Sequence, residues 1–442
     1  MSTRGLNALS ALRLHPRVGP VVKAGRVVRF DGAIAGVVGC NAPVGSSCEI
    51  ETTDGHGGCG EVIGFREQET VIALTDGSMR IAAGALVRVV GAADEVPVGA
   101  GLLGRVWDAD GKPLDGLPPL VAEGSVALRG QQVNPLSRAE VSEPLDVGVR
   151  AINGLLSVGR GQRIGLIAGS GVGKSVLLSM LCRGTQADVV VAALIGERAR
   201  EVSGFVQSVL TEESRARTVV VAVTAEQSPI LRIRGAHRAS AIADYFRSQG
   251  KQVLLIVDSL TRVGHAQREI GLALGEQPTA KGYPPSVVSL IPRLVERAGR
   301  DRESGGSITA FYTVLADGDD VNDPVVDAAR AITDGHIVLS RSLAEQGVYP
   351  AIDVAASVSR VSTHICSKSH LDAARVFRRR YSLYQENKDL ALMGGYQAGI
   401  DREIDLALSR HPQMMNFITQ PVDLRCSWEE AQSALAKVVS DA

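Results

Sequence analysis

The stretch "AGSGVGKS", residues 168–175, follows the apolar run "RIGLI" and stands where a strand turns into a helix. Glycines ahead of a Lys-Ser pair at such a turn are the pattern of a phosphate-binding loop. They let backbone amides converge on phosphate oxygens, the lysine neutralises the β- and γ-phosphates, and the hydroxyl ligates Mg²⁺. The loop is expected to bind a nucleotide through Gly169, Ser170, Gly171, Val172, Gly173, Lys174, Ser175 and Val176, with Ser175 as a Mg²⁺ ligand. The fully spaced pattern G-x-x-x-x-G-K-S needs glycine at 168, where this chain has Ala168; the later glycines still free the amides.

Apolar runs of the same kind recur downstream: "DVVVAALIG", "TVVVAVT", "QVLLIVD" and "SITAFYTVL", bounded by polar or turn residues and separated by helical patterns. Continuous Val, Ile and Leu mark parallel strands covered on both faces, so the sequence predicts an α/β core. In such a sheet ligands sit at the carboxyl ends of the strands. Two carboxylates fall there. Asp258 ends "QVLLIVD" and is expected to hold Mg²⁺ through water, the alternative being a cap for the next turn. Glu197 follows "VVVAALIG" and opens a block of charge with Arg198, Arg200 and Glu201. A carboxylate on that edge can polarise a water for in-line attack on the γ-phosphate. Arg198 would orient it or sense the γ-phosphate, and a solvated charged turn is the plain alternative for the block.

Ahead of the core, residues 20–92 read as short strands punctuated by turns at Asp31-Gly32, Asp54-Gly55 and Asp76-Gly77, which suggests a small closed β-barrel. Before it, Leu6, Leu9 and Leu12 recur at helical spacing near Arg4 and Arg13, the pattern of a short amphipathic helix for a partner or a membrane surface, or of a frayed terminus. A Gly- and Pro-rich link, "DADGKPLDGLPPL", separates the barrel from the core, and after about Cys366 only helical spacing remains, with Ser427 and Glu430 forming a capping box. The domains expected are a partner-binding segment at 1–19, a β-barrel at 20–92, a P-loop ATPase domain at 93–366 and a helical domain at 367–442.

At 442 residues and 45% hydrophobic, the chain can bury a large core in two or three domains. With 47 basic against 48 acidic side chains it has no general basic field for nucleic acid. No apolar stretch approaches the length of a membrane span and no cleavable leader is evident, so the sequence reads as cytoplasmic. The six cysteines contain no C-x-x-C pair. Cys40, Cys48 and Cys59, with His56, could collect a metal, but their scatter reads as buried or inert thiols.

The segments "GERAREV", "LLIVDSLTRVGHAQREIGLALGEQPTAKGYPPSV", "DGDDVNDPVVDAARAITDGHIVLSR" and "VYPAIDVAASVSRV" resemble the hexameric ATPases related to the catalytic subunit of rotary ATP synthases. Among these the flagellar and type III secretion export ATPases are most similar, and "NPLSRAEVSEPLDVGVRAINGLLSVGRGQR" leans to the flagellar branch. The resemblance covers about residues 20–420. It implies a RecA-like fold with a parallel sheet, N-terminal barrel and C-terminal helices, and ATP and Mg²⁺ as ligands. It implies that Glu197 activates water, that Arg198 and Arg262 lie around the γ-phosphate, and that Tyr349 packs on adenine, with Phe417 adding to that pocket. Arg360 would be an arginine finger reaching the neighbouring subunit's site, beside Lys174 in the catalytic set.

The partners implied are a homohexamer, a stator or regulator protein at the N-terminus, and a coiled-coil stalk protein in the pore near Asp319, Asp320 and Asp323. The export gate, substrates and chaperones complete the set, with peripheral association at the inner membrane. The alternatives are the ATPase of a virulence-type secretion system or a rotary synthase catalytic subunit. An RNA translocase with the same core would need a basic, aromatic-rich barrel surface, and the barrel offers only Phe30 and Phe65. A noncatalytic ring subunit would not need both Lys174 and Glu197.

Overall fold

The computed structural model describes residues 23–92, 94–130, 134–315 and 323–440. The expected N-terminal helix, and Asp319 and Asp320, lie outside them. The chain divides between Asp94 and Glu95 into two compact units.

The first unit is the barrel. Its strands are β1 (Ala24–Phe30), β2 (Ile34–Val38), β3 (Ser46–Glu51), β4 (Gly57–Arg66), β5 (Glu69–Leu74) and β6 (Leu86–Ala92). They close in the order β1-β2-β5-β4-β3-β6, and every pairing is antiparallel. Alternation explains closure: in β3 the side chains of Ser46, Cys48 and Ile50 turn inward while Glu49 and Glu51 face out. The turn at Asp31-Gly32 forms because Asp31 Oδ1 accepts the amides of Ala33 and Ile34 while Gly32 takes a positive φ of 93°. Cys40 and Cys48 sit in the barrel core, and burial pushes the Cys48 thiol up to about 12, so neither is a nucleophile at neutral pH. Among the described residues no group of three or more His, Cys, Asp or Glu is placed to hold a metal.

The second unit is built on a mostly parallel sheet. Its main strands are β7 (Arg163–Ala168), β8 (Val189–Glu197), β9 (Thr218–Thr224), β10 (Gln252–Asp258), β11 (Ser307–Leu315), β12 (Gly335–Leu339) and β13 (Ile352–Ser359). They lie in the order β13-β12-β7-β11-β10-β8-β9, and β13 alone among these runs antiparallel to its neighbour. All nine residues of β8 are buried, as a strand covered on both faces requires. The crossovers include α1 (Lys174–Gly184), α2 (Ala199–Val209), α3 (Pro229–Ser248) and α4 (Leu260–Ala273).

The Gly- and Pro-rich stretch expected as a link is stitched into this second unit instead. Just before it, Val106–Trp107 pairs in parallel with β9, Trp107 is 1% exposed, and Arg105 Nε holds Asp115 at 2.5 Å. The expectation failed because its turn residues shape a loop folded back by an ion pair, which composition alone does not distinguish from a spacer.

Further helices are α5 (Pro285–Val295), α6 (Pro324–Ile332), α7 (Lys368–Leu392), α8 (Arg402–Ile418) and α9 (Trp428–Val439). Asp323 caps α6 by accepting the amide of Val325 at 2.8 Å. The capping box of Ser427 and Glu430 is present at α9. Phe377, Tyr381, Met414, Phe417 and Leu435 from the C-terminal helices join the hydrophobic core that β7 and α1 also build. Among the described residues no helix is long and apolar enough to cross a membrane.

Candidate functional site

β7 ends at Ala168, and the loop that follows runs straight into α1. Gly171 and Gly173 have φ of 79° and 88°, a region that favours glycine. At Gly173 space is also short: a Cβ there would lie 3.2 Å from the ring of Tyr349. No side chain caps α1, so its leading amides remain for a ligand, and the helix dipole favours an anion at that point. Ala168 is tolerated because it is still the last residue of a strand, paired with Leu315 of β11.

Parallel register places the two carboxylates side by side. Leu194 of β8 lies opposite Asp258 at the end of β10, so Glu197 emerges on the same edge. Lys174 Nζ reaches both, 2.5 Å from Asp258 Oδ1 and 3.1 Å from Glu197 Oε1. Burial raises the Asp258 carboxyl above its ordinary range; Lys174 opposes the rise and Glu197 adds to it. Burial alone would depress the Lys174 ammonium, but Asp258 and Glu197 together hold it above the ordinary lysine value. The cluster thus holds one buried cation against two carboxylates, a setting that could take a divalent ion if an anion drew Lys174 away. Ser175, exposed in the first turn of α1, has a hydroxyl that could join such an ion.

The remaining predicted residues divide. Arg262, in the first turn of α4, lies across Gly196: a Cβ on that glycine would meet the Arg262 Cβ at 2.8 Å and its Cγ at 2.9 Å. This packs Arg262 against the residue just before Glu197, with its Nε buried and without a hydrogen-bond partner among the described residues. Tyr349 stands over the loop, partly exposed, its carbonyl accepting the amide of Gln420 at 2.9 Å. Arg198 and Arg360 are not gathered in. The Arg198 side chain is 85% exposed and pairs along its own helix with Glu201 at 3.5 Å. Arg360 follows β13 at the surface, where its Nη2 donates to the Arg330 carbonyl at 3.4 Å, and no carboxylate pairs with it among the described residues.

Residues 148–359 match the model of the ATP synthase alpha/beta family, nucleotide-binding domain, and residues 366–437 match the T3SS EscN ATPase C-terminal domain. The chain is 49% identical over 424 residues to the flagellum-specific ATP synthase of Pseudomonas aeruginosa, covering 95% of this chain and 94% of that protein. It belongs to the flagellar and type III secretion ATPases. The type 3 secretion system ATPase of Xanthomonas euvesicatoria is 43% identical, over 95% of this chain and 94% of its own length. The assembled ATPase EscN from the enteropathogenic E. coli type III secretion system superposes with a TM-score of 0.89 at 40% identity, covering 94% of this chain and all of that one.

This export ATPase is accordingly a nucleotide-binding ATP hydrolase with an N-terminal barrel, a parallel-sheet core and C-terminal helices. Phe417 departs from expectation. Its ring is 2% exposed, 5.4 Å from the ring of Phe377, and lies against Gly154, so in this export ATPase it packs the core instead of facing a ligand. Sequence reading also passed over Thr313, whose hydroxyl donates to Asp258 Oδ1 at 2.6 Å. The available signal was a hydroxyl in the otherwise apolar end of "SITAFYTVL", on the strand next to the one that Asp258 ends.

Proposed function

We propose that this chain hydrolyses ATP with Mg²⁺ to energise flagellar protein export, working as a homohexameric ring at the cytoplasmic face of the inner membrane. The observation that carries the reading is Lys174 held between Glu197 and Asp258 at the mouth of the glycine loop. In this reading the amides from Gly169 to Val176 wrap the phosphates and Lys174 moves from the carboxylates onto β- and γ-oxygens. Ser175 and Asp258 would hold Mg²⁺, which when bound would neutralise charge developing on the phosphates. Glu197 orients a water in line with the γ-phosphorus and takes its proton. Arg262, packed against the residue just before Glu197, has a guanidinium nitrogen to offer, and Tyr349 presents its ring to the adenine.

Arg360 fits none of these tasks within its own chain. Exposed and without an anionic partner among the described residues, it suits a finger that completes a neighbour's site, which supports a ring. EscN has been solved in complex with its central stalk EscO; a stalk protein in the pore of this ring is the corresponding partner. The N-terminal segment would meet a stator or regulator protein, and the export gate, substrates and chaperones would meet the assembled ring. The match to an EscN-type C-terminal domain at 366–437 favours an export ATPase over a rotary synthase subunit. The identity to flagellum-specific relatives, at 49% and 48% against 43% for the type 3 secretion relative, favours the flagellar branch.

Mixing tests the ring. Lys174→Ala subunits offer an intact Arg360 beside a dead site, and Arg360→Ala subunits offer a competent site without its finger. Co-assembled mixtures should regain turnover that neither variant has alone. Activity equal to the sum of the separate values, with co-assembly verified, would place Arg360 in its own subunit's structure.

A further inference from the structure

We infer that Thr313 is a positioning residue for metal binding: its hydroxyl pins Asp258 Oδ1 and leaves Oδ2 to face the metal's water shell. The inference rests on the assignment of Asp258 to Mg²⁺ proposed above.

β11 is enclosed by strands on both sides and buried along nearly its whole length, and Thr313 is fully buried within it. Valine would fill the same volume without a polar group, and a hydroxyl left without a hydrogen bond in such a place is destabilising. Thr313 therefore needs a partner, and the neighbouring strand gives it one. Val257 lies opposite Tyr312 in the β10–β11 register, so Asp258 falls alongside Thr313, and the hydroxyl donates to Oδ1 at 2.6 Å. Thr309, nearer the start of the same strand, shows the ordinary structural use: it accepts the amide of Gly161 at 2.8 Å and donates to the Gly159 carbonyl.

The consequence lies in which oxygen is taken. Oδ1 accepts from both Thr313 and Lys174, whereas among the described residues no hydrogen bond reaches Oδ2. When Lys174 turns to phosphate oxygens, Thr313 is the donor that stays. A hydroxyl-to-carboxylate bond is charge-assisted and directional, so it sets the plane of the carboxylate and holds Oδ2 at a fixed height over the loop. Groups that orient a metal's ligands in this way typically govern metal affinity by about 10- to 100-fold.

The test uses the full chain with a non-hydrolysable ATP analogue and Mn²⁺ as the probe, its binding read by electron paramagnetic resonance. Thr313→Val keeps the shape and loses the donor. It should weaken Mn²⁺ binding in the nucleotide complex about tenfold, while nucleotide binding in chelator and the thermal midpoint stay near wild type. Thr313→Ser should restore the metal affinity. Mn²⁺ affinity in Thr313→Val within twofold of wild type, or equally weak in Thr313→Ser, would overturn the inference. If the valine variant does not fold, Thr313→Ala against Thr313→Ser decides by the same criterion, with equal affinities counting against it. Asp258→Asn separates the two levels. Undiminished Mn²⁺ binding in that variant would overturn the assignment of Asp258 itself, and Thr313's role with it.

Discussion

Two buried charge clusters sit in the second unit, and they are solvated in opposite ways. Near the start of β11, Arg297 donates to Asp244 from Nε at 3.1 Å and Nη2 at 2.7 Å, while Arg247 Nη2 lies 2.8 Å from the other oxygen of that carboxylate. The surplus of positive charge there is met by backbone: Arg297 Nη1 donates to the Leu128 carbonyl, Arg247 to that of Arg297, and Arg138 to that of Glu296. At the carboxyl ends of β8 and β10 the surplus is negative, and among the described residues Lys174 and Thr313 are the side chains that donate to it. Carbonyl groups can close a cluster of cations permanently, whereas a pair of carboxylates short of donors stays receptive to an incoming cation. A buried charge network thus marks a site by what its surplus lacks, and the presence of ion pairs alone does not distinguish the two.

The largest effect expected is at the receptive end. Glu197→Gln keeps the shape but cannot take a proton, so turnover should fall by about 10²- to 10⁴-fold while ATP still binds. Failure of that variant to bind fluorescent ATP would instead mean that Glu197 holds the loop together. Arg297→Met strikes the closed end. It should leave turnover per folded molecule unchanged and lower stability by about 3 kcal/mol or more, read from denaturant midpoints, because Asp244 loses its main partner. Lost turnover with unchanged stability would erase the contrast between the clusters.

His237 tests how cation-rich the closed end is. Burial, then Arg297 and Arg129, push it down to about 3, so the folded protein excludes a proton that the unfolded chain takes up below about pH 6.5. Stability should therefore fall as pH drops from about 6.5 towards 3, by up to about 1.4 kcal/mol per pH unit from this group. His237→Gln should flatten that slope by one proton in midpoints compared at pH 7 and pH 5; an unchanged slope would show that the histidine is charged in the fold. The smallest effect belongs to the rim of the receptive end. Tyr349→Ala should raise KM for ATP about tenfold, the usual worth of a ring stacked on a base, with kcat changed much less. An equal fall in kcat would move Tyr349 from binding to the arrangement of Gly173.

The core was legible where burial is uniform. β7 to β11 stand out as continuous apolar runs because both faces are covered, and the glycine loop is a local pattern that needs no tertiary context. β12 and β13 were not read as strands, since their burial is broken by half-exposed and exposed positions and the run of apolar residues is short. The partnership of Lys174 with Asp258, and of Asp258 with Thr313, depends on parallel register between segments far apart in the chain, which no local pattern contains. Phe417 illustrates the converse: an aromatic near the right place in sequence turns inward because Phe377 and Gly154 receive it.

The N-terminal unit closes on itself, β6 returning to β1, so none of its six strands has an open side. One outer strand of the core sheet, β13, is blunted in another way: Asp353 accepts the amides of Ala355 and Ala356, both at 3.0 Å, beside a break in register with β12. An unpaired strand is a template on which extended polypeptide adds by main-chain bonding, regardless of its sequence. Where the barrel closes and where β13 is interrupted, an extended polypeptide finds little backbone to pair with, so contacts made at those two places fall to side chains, which can be selective and reversible.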